Sequence, residues 1–67
     1  MADFAGIPFT TDRPLGPISF MEYFRAVSEG VRAADRRGAH VTRLEIRKGR
    51  LSVYSSDGVT IEYIVRP

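Results

Sequence analysis

The residues best suited to chemistry in this sequence are one histidine, two glutamates and five serines, and their spacing does not assemble a catalytic site. His40 is the single histidine and the chain has no cysteine, which excludes histidine or thiolate metal clusters. Glu45 and Glu62 are expected on one open sheet face, about 9–10 Å apart at the backbone, without a pocket to shift their pKa values. The serines have no base near them in sequence, and no glycine-rich phosphate loop follows a strand. We therefore predict a protein that is not an enzyme and has neither a cofactor nor a catalytic or metal-binding residue.

Positive charge is concentrated between residues 32 and 50, where the balance is +5 against −3 for the remainder of the chain. The side chains responsible are those of Arg32, Arg36, Arg37, Arg43, Arg47, Lys48 and Arg50. A strand of seven residues is roughly 20 Å long and separates the cluster at the end of the predicted helix from the cluster at the turn after that strand. The basic residues are therefore expected to form two clusters on a monomer, which a symmetric dimer could join.

One amphipathic helix is predicted, spanning about residues 19–37. Ser19 and Glu22 have the spacing of a capping box, and Gly38 suits the left-handed position after the last turn. Its apolar face is predicted to contain Phe20, Phe24, Val27, Val31 and Ala34, with Tyr23 at its side. Gly30 interrupts this helix and indicates a close approach to a neighbouring element, because glycine otherwise weakens a helix.

Three strands follow the helix, at about residues 41–47, 50–55 and 59–65, and their alternating pattern predicts an antiparallel meander. A two-residue turn at Lys48-Gly49 brings the apolar residues Leu44, Ile46, Leu51 and Val53 together on one face. Thr42 is predicted to lie on the same face. A three-residue turn over 56–58, with Gly58 left-handed, brings the third strand into the same alignment. The prediction is a two-layer α+β domain, with the helix packed on a sheet of strand order 1-2-3.

Residues 1–17 are predicted to form an extended arm ahead of a single α-β-β-β domain at 18–67. Pro8, Pro14 and Pro17 disfavour a helix in this segment. Phe4, Phe9 and other apolar side chains make it unlike a typical disordered tail. Three alternatives are open: the arm packs on its own domain, docks on a second subunit or partner, or is disordered.

The function predicted from these features is binding of another protein, as an adaptor, regulator or inhibitor. Arginine and tyrosine are favoured at the centres of protein interfaces, and the outward face of the meander offers both. The residues expected to bind the partner are Arg43, Arg47, Lys48, Arg50, Tyr54 and Ile64 of the meander, with Phe4 and Phe9 of the arm. Self-association through an edge strand, giving a homodimer, is a companion hypothesis.

The alternative is a nucleic-acid-binding protein that uses Arg47, Lys48 and Arg50 together with Arg36 and Arg37, as a dimer. Only one aromatic residue, Tyr54, lies on the open face, whereas sheets that bind single strands stack bases on two or three. No hydrophobic run is long enough for a membrane span and no leader is evident, so we expect a cytoplasmic protein without a membrane partner. A short reading frame of this kind is typical of phage or mobile-element accessory proteins.

Overall fold

The computed structural model describes residues 3–4 and 6–65, without the side chains of residues 3, 4 and 17–19. Its elements are β1 (Asp3–Phe4), β2 (Ile7–Thr11), α1 (Pro17–Arg36), β3 (Val41–Arg47), β4 (Arg50–Ser55) and β5 (Thr60–Ile64). Strands β2 to β5 form a mixed four-stranded sheet in chain order, and the two-residue β1 extends it beyond β2. The helix packs on one face of this sheet, which confirms the predicted α+β class.

The first turn of the meander has the predicted length and register. Ile46 lies opposite Leu51, on either side of the Lys48-Gly49 turn. Both turn residues have positive φ angles, 52° for Lys48 and 77° for Gly49. Two successive left-handed residues characterise the type I′ turn, whose twist matches that of the strands it joins. Local turn geometry and the alternation of apolar residues therefore specify the same pairing.

The second turn also has the predicted three residues, 56–58. The Ser55 amide donates a hydrogen bond to the Val59 carbonyl oxygen at 3.0 Å, which closes the loop. Gly58 has a φ of 84°, the left-handed conformation that the predicted bulged turn requires. Leu51 consequently lies opposite Tyr63, as predicted. Strand β5 is one residue shorter at each end than the predicted 59–65.

The start of β3 differs from the prediction because of a β-bulge. The pairing with β4 shifts register between Val41 and Arg43, so the strand has one extra residue there. Val41 consequently packs against the core, whereas Thr42 is exposed. The Thr42 hydroxyl donates a hydrogen bond to the Tyr54 carbonyl oxygen at 3.2 Å. The predicted placement of Thr42 on the buried face is therefore wrong.

The meander is not the whole sheet, and the predicted three-stranded sheet is incomplete. Residues of the arm form β2, which pairs in parallel with β3, with Phe9 opposite Leu44. Parallel neighbours need a crossover connection, and α1 provides it here. Ile7 and Phe9 pack against the core of their own domain. The described part of the arm thus belongs to the same sheet as the meander, at its edge.

The helix begins two residues earlier than predicted. Gly16 is extended, with φ −77° and ψ 172°, and its carbonyl oxygen accepts the Phe20 amide at 2.8 Å, so Gly16 is the N-cap residue. Pro17 then occupies the first helical position, where its fixed φ suits a helix and its missing amide costs no hydrogen bond. The predicted cap at Ser19 is wrong, because that residue lies within the first helical turn.

The helix ends as predicted, with Gly38 in the left-handed conformation at φ 73°. The Gly38 amide donates to the Asp35 carbonyl oxygen at 3.0 Å, and the Ala39 amide donates to the Ala34 carbonyl oxygen at 2.9 Å. This pair of hydrogen bonds is a Schellman motif. It turns the chain directly from α1 into β3.

The helix face in contact with the sheet is rotated from the predicted one. Tyr23, Val27 and Ala34 are buried, whereas Phe20 and Phe24 are 44% and 45% exposed, with nearly parallel rings 6.4 Å apart. Gly30 also faces the sheet. A Cβ added there would lie 2.8 Å from the Val53 Cγ2, closer than real Cβ contacts allow. The predicted close approach at Gly30 is therefore present, and it determines which side of the helix is buried.

The core lies between this helix face and the inner face of the sheet. Its largest fully buried side chains all belong to β3 and β4: Leu44, Ile46, Leu51 and Val53. Val65, just after β5, is 8% exposed and completes this cluster. The inner face of the sheet is thus occupied by the hydrophobic core.

Candidate functional site

The candidate site is the outer face of the sheet, formed by the residues that alternate with the core positions. Helix α1 packs on the opposite face and β2 lies at the edge, so within residues 6–65 no element covers this outer face. The registers arrange it in three rows. The rows are Arg43–Tyr54–Thr60, Glu45–Ser52–Glu62 and Arg47–Arg50–Ile64. These are the rows expected from the two predicted turn lengths.

Tyr54 is the centre of an ordered set of side chains on this face. The Arg43 guanidinium carbon lies 4.1 Å from the centroid of the Tyr54 ring, a cation–π contact. The Tyr54 hydroxyl donates a hydrogen bond to the Glu45 Oε1 at 3.1 Å. The other oxygen of Glu45 accepts a hydrogen bond from Arg47 at 3.3 Å. Four residues are thus linked in one chain of contacts, which limits their rotamers before any partner arrives.

The third row contains Ile64, an exposed aliphatic side chain, and Arg50, which forms an ion pair with Glu62 of the second row. Arg50 and Glu62 approach to 3.6 Å between nitrogen and oxygen. Ile64, on the same face, is 77% exposed, the highest value among the large apolar residues described. Isolated surface ion pairs contribute roughly 0–1 kcal/mol to folding, so this pair does little for stability. The row therefore presents charge beside an apolar side chain that the fold does not use.

Lys48 lies in the turn that borders the outer face. Asp12, which is not among the predicted site residues, holds this turn in place. The Asp12 carboxylate accepts the Lys48 amide at 3.0 Å, and the Asp12 amide donates to the Ile46 carbonyl oxygen at 3.1 Å. Partial desolvation acts to raise the pKa of Asp12, but the hydrogen bonds from Lys48 and Arg13 outweigh it and lower this pKa. The only sequence signal for this contact is the polar run that follows the apolar residues of the arm.

The second basic cluster lies at the other end of the domain. Arg37 forms a hydrogen-bonded ion pair with Asp57 in the β4–β5 turn, at 2.8 Å. The hydrogen bond from Arg37 is the main reason that the pKa of Asp57 is lowered, and it raises the pKa of Arg37. The two turns lie at opposite ends of β4, about 20 Å apart for six residues at 3.3 Å each. The structure therefore does not bring Arg37 together with Arg47, Lys48 and Arg50.

Of the two arm residues predicted to bind a partner, the structure describes the side chain of one. Phe9 is partly exposed and packs against the core from the edge strand. Phe4 belongs to β1, and its side chain lies outside the described residues. The six predicted meander residues, by contrast, lie on the outer face or at its bordering turn.

The outer face has two shallow, open depressions rather than an enclosed pocket. One is lined by Thr42, Arg43, Tyr54, Ser55, Gly58 and Thr60, and the other by Glu45, Arg47, Lys48, Arg50, Ser52 and Glu62. Both depressions are open to solvent, whereas small-molecule sites normally bury most of their ligand. Across the described part of the chain, no group of three or more histidine, cysteine, aspartate or glutamate residues could hold a metal ion.

Comparison with known proteins finds no counterpart for this chain among family models, curated proteins or solved structures. No helix in the described residues is long and apolar enough to cross a membrane.

Proposed function

We propose that this chain is a small protein-binding module, an adaptor, regulator or inhibitor, that engages another protein through the outer face of its sheet. The observation that supports this most directly is the arrangement around Tyr54. Arg43 stacks on the ring, Glu45 holds the hydroxyl, and the face has no covering layer in the described structure.

Ordered aromatic and arginine side chains suit a protein interface because they bury large areas at a small cost in conformational entropy. Tyrosine and arginine are enriched among the residues that dominate binding energy. Immobilising a flexible side chain costs about 0.5–1.5 kcal/mol on binding, and Arg43 and Tyr54 are already held. Ile64 adds apolar area at the end of the same face. The partner surface that fits is one with acidic groups near Arg43 and an apolar patch near Ile64.

Nucleic acid is the weaker candidate for the same face. Arg47 is paired with Glu45 and Arg50 with Glu62, so these two cations are partly neutralised by neighbours on the face. A polyanion is attracted by unopposed positive charge, and its affinity falls steeply with salt. Two carboxylates among the basic side chains reduce that attraction, so nucleic-acid binding is kept as an outcome that the experiment must detect.

The proposal is tested by crosslinking in cells of the source organism. A photoreactive benzoylphenylalanine replaces Ser52, at the centre of the outer face, and in a matched control it replaces Arg32 on the exposed side of the helix. We expect an ultraviolet-dependent, nuclease-resistant adduct of one defined mass from position 52 and none from position 32. A nuclease-sensitive adduct from position 52 would show instead that the outer face binds nucleic acid.

Substitution of the stacked pair then connects the adduct with the face itself. Arg43→Ser combined with Tyr54→Ser should abolish the adduct from position 52, whereas Arg25→Ser on the helix should leave it unchanged. Circular dichroism of each variant establishes that the fold is retained. Equal adduct yields from the folded double variant and the wild-type face would refute the proposed site.

A further inference from the structure

The two edges of the meander differ in whether a strand covers them. The edge of β3 is covered by β2 over Phe9 to Thr11. Strand β5 pairs with β4 on one side, and no described strand pairs with its other side. An uncovered strand carries amide and carbonyl groups that form a template for another strand. The edge of β5 is therefore a candidate interaction surface, independent of the proposed binding face.

The outward-pointing backbone groups of β5 follow from its hydrogen bonds to β4. The Ser55 amide donates to Val59 at 3.0 Å, and the Val65 amide donates to Gly49 at 2.8 Å. Since hydrogen-bonded pairs alternate along an antiparallel ladder, residues 59, 61, 63 and 65 direct their backbone groups toward β4. Residues 60, 62 and 64 direct theirs outward. The free edge thus offers six groups over about 14 Å, counting 3.4 Å per residue.

This edge lacks most of the features by which proteins prevent strand addition. Proline, lysine and bulges commonly protect an edge. Residues 59–65 read VTIEYIV, which contains neither proline nor lysine, and the pairing with β4 is regular throughout. The one charged side chain is Glu62, which is paired with Arg50. Every other residue in the run is β-branched or aromatic and favours a strand.

We propose that β5 pairs antiparallel with β5 of a second copy of this chain, around a two-fold axis at Ile61. Three registers pair at least five residues of the run 59–65 with the second copy, with the axis at residue 61, 62 or 63. An axis at Glu62 places two carboxylates directly opposite each other, which is destabilising. An axis at Tyr63 places Glu62 opposite Ile64, and so pairs a charge with an apolar side chain.

The axis at Ile61 is the register in which every directly opposed pair is compatible. Glu62 lies opposite Thr60 of the second copy, Tyr63 opposite Val59, and Ile61 opposite itself. The aromatic and β-branched pairs are those that stabilise antiparallel sheets, at about 0.2–1 kcal/mol each. Val59, which is 38% exposed, would gain a neighbour on the inner face. The self-complementarity of the sequence 59–63 is the argument for a second copy rather than for a foreign strand.

The dimer would also extend the candidate binding face. In this register the row containing Arg43, Tyr54 and Thr60 continues into the row containing Glu62, Ser52 and Glu45 of the second copy. The two outer faces form one surface with two-fold symmetry, as an isologous interface requires. A partner that contacts both copies would bind more strongly than a partner that contacts one copy.

Single cysteine variants test both the dimer and its register, because the natural chain contains no cysteine. Ile61→Cys should form an interchain disulfide on mild oxidation, since residue 61 would face itself in a non-hydrogen-bonded pair about 4.5 Å apart at Cα. Glu62→Cys and Tyr63→Cys should form at least about tenfold less crosslinked dimer. Preferential crosslinking at 62 or 63 overturns the register, and equal background crosslinking at all three positions overturns the dimer.

A proline variant tests the edge without disturbing the ladder within one copy. The Glu62 amide points outward, so Glu62→Pro removes a hydrogen bond of the dimer and none to β4. Sedimentation should show a dimer for the natural chain and a monomer for Glu62→Pro, with Glu62→Thr as a dimeric control. Thr60→Pro, at another outward amide that the same register pairs with the second copy, serves if Glu62→Pro does not fold. A natural chain that stays monomeric at millimolar concentration overturns the proposal, with no bearing on the outer-face proposal.

Discussion

The two faces of the β3–β5 meander are built from alternate residues of the same strands, yet different interactions hold them. On the inner face Leu44, Leu51 and Val53 are fully buried. On the outer face Arg43, Tyr54 and Glu45 are ordered by a cation–π contact and hydrogen bonds at the surface. The comparison shows that burial stabilises one face of the strands, and it supports the proposal that the other face serves recognition.

Magnitudes support this separation. Burying a valine or leucine side chain stabilises a protein by about 1.5–3 kcal/mol, whereas an exposed ion pair contributes roughly 0–1 kcal/mol. The outer contacts therefore have little influence on whether the chain folds. Their main physical effect is on where the side chains point. Substitutions on the two faces should accordingly have opposite profiles for stability and for binding.

The largest expected effect comes from shortening a buried side chain on the inner face. Val53→Ala should lower the free energy of unfolding by about 2–4 kcal/mol, since it leaves a cavity that a small core cannot close. A single core of this size rarely supplies more than about 3–5 kcal/mol. Urea denaturation at 25 °C should therefore show that this variant is mostly unfolded, or close to its unfolding midpoint, before urea is added.

Ser52→Ala is the matched control for this prediction, because Ser52 is the preceding residue on the same strand and belongs to the outer face. Its unfolding free energy should stay within about 0.5 kcal/mol of that of the natural chain. Comparable losses for the two variants would contradict the assignment of stability to the inner face.

The second prediction concerns the close approach of the helix to the same valine. Gly30→Ala should gain about 1 kcal/mol in helix propensity but lose about 1–3 kcal/mol by overpacking against Val53. A net loss of about 1 kcal/mol in the free energy of unfolding is expected. Glu29→Ala, on the exposed side of the helix, should show no comparable loss.

A double-mutant cycle identifies the contact responsible. Combined with Val53→Ala, the alanine at position 30 no longer meets the two γ-methyl groups that lie 2.8 Å and 3.1 Å from its Cβ. Its cost should therefore disappear or become a gain. All four chains are compared in the same stabilising osmolyte, which strengthens folding without altering the contact. Strict additivity would show that the cost at position 30 arises elsewhere.

The amino-acid sequence predicts the structure best where local signals determine it. Both meander turns contain a glycine at a position that needs positive φ, and each permits one register in which the apolar residues align. The outer rows follow from the same registers without further information. The candidate site could be placed on one face for this reason, although its internal contacts, such as Glu45 with Tyr54, required coordinates.

The errors occurred where the structure depends on distant contacts. Strand β2 pairs with a strand more than thirty residues away, and no local turn indicates that pairing. The helix pattern identified apolar residues but not which of them face the sheet, so Phe20 and Phe24 were placed in the core. Gly30 was the better guide, because only a residue without a side chain fits against Val53.

The third prediction uses acid to separate charged contacts from apolar ones. The pKa values of Asp12 and Asp57 are lowered in the folded chain, so their contribution to stability is complete above the unfolded value of about 3.9. It is lost as the pH falls through the lower folded values. These two carboxylates should therefore leave the melting temperature constant between pH 5 and pH 7 and cause it to decrease below about pH 4.

Asp57→Asn provides the control, since it removes one of the two carboxylates together with its ion pair to Arg37. The decrease in melting temperature below about pH 4 should be smaller in this variant than in the natural chain. An identical acid profile would show that other groups are responsible. Val53→Ala, compared with the natural chain in the same stabilising osmolyte, should in contrast lower the melting temperature by a similar amount at every pH, because apolar burial involves no proton.

The smallest effect on stability is expected at Tyr54. Variants of this residue test most directly whether the outer face serves recognition rather than folding. Tyr54→Phe keeps the ring under Arg43 and removes the hydroxyl that Glu45 accepts, so it should cost no more than about 1 kcal/mol in unfolding free energy. Tyr54→Leu also removes the cation–π contact, a further loss of about 0.5–1 kcal/mol at an exposed site. If the outer face serves recognition, both variants should weaken partner capture more than they weaken folding, and Tyr54→Leu should weaken it more than Tyr54→Phe. Capture that merely follows the loss of folded protein would mean that these contacts, like those of the inner face, belong to the fold.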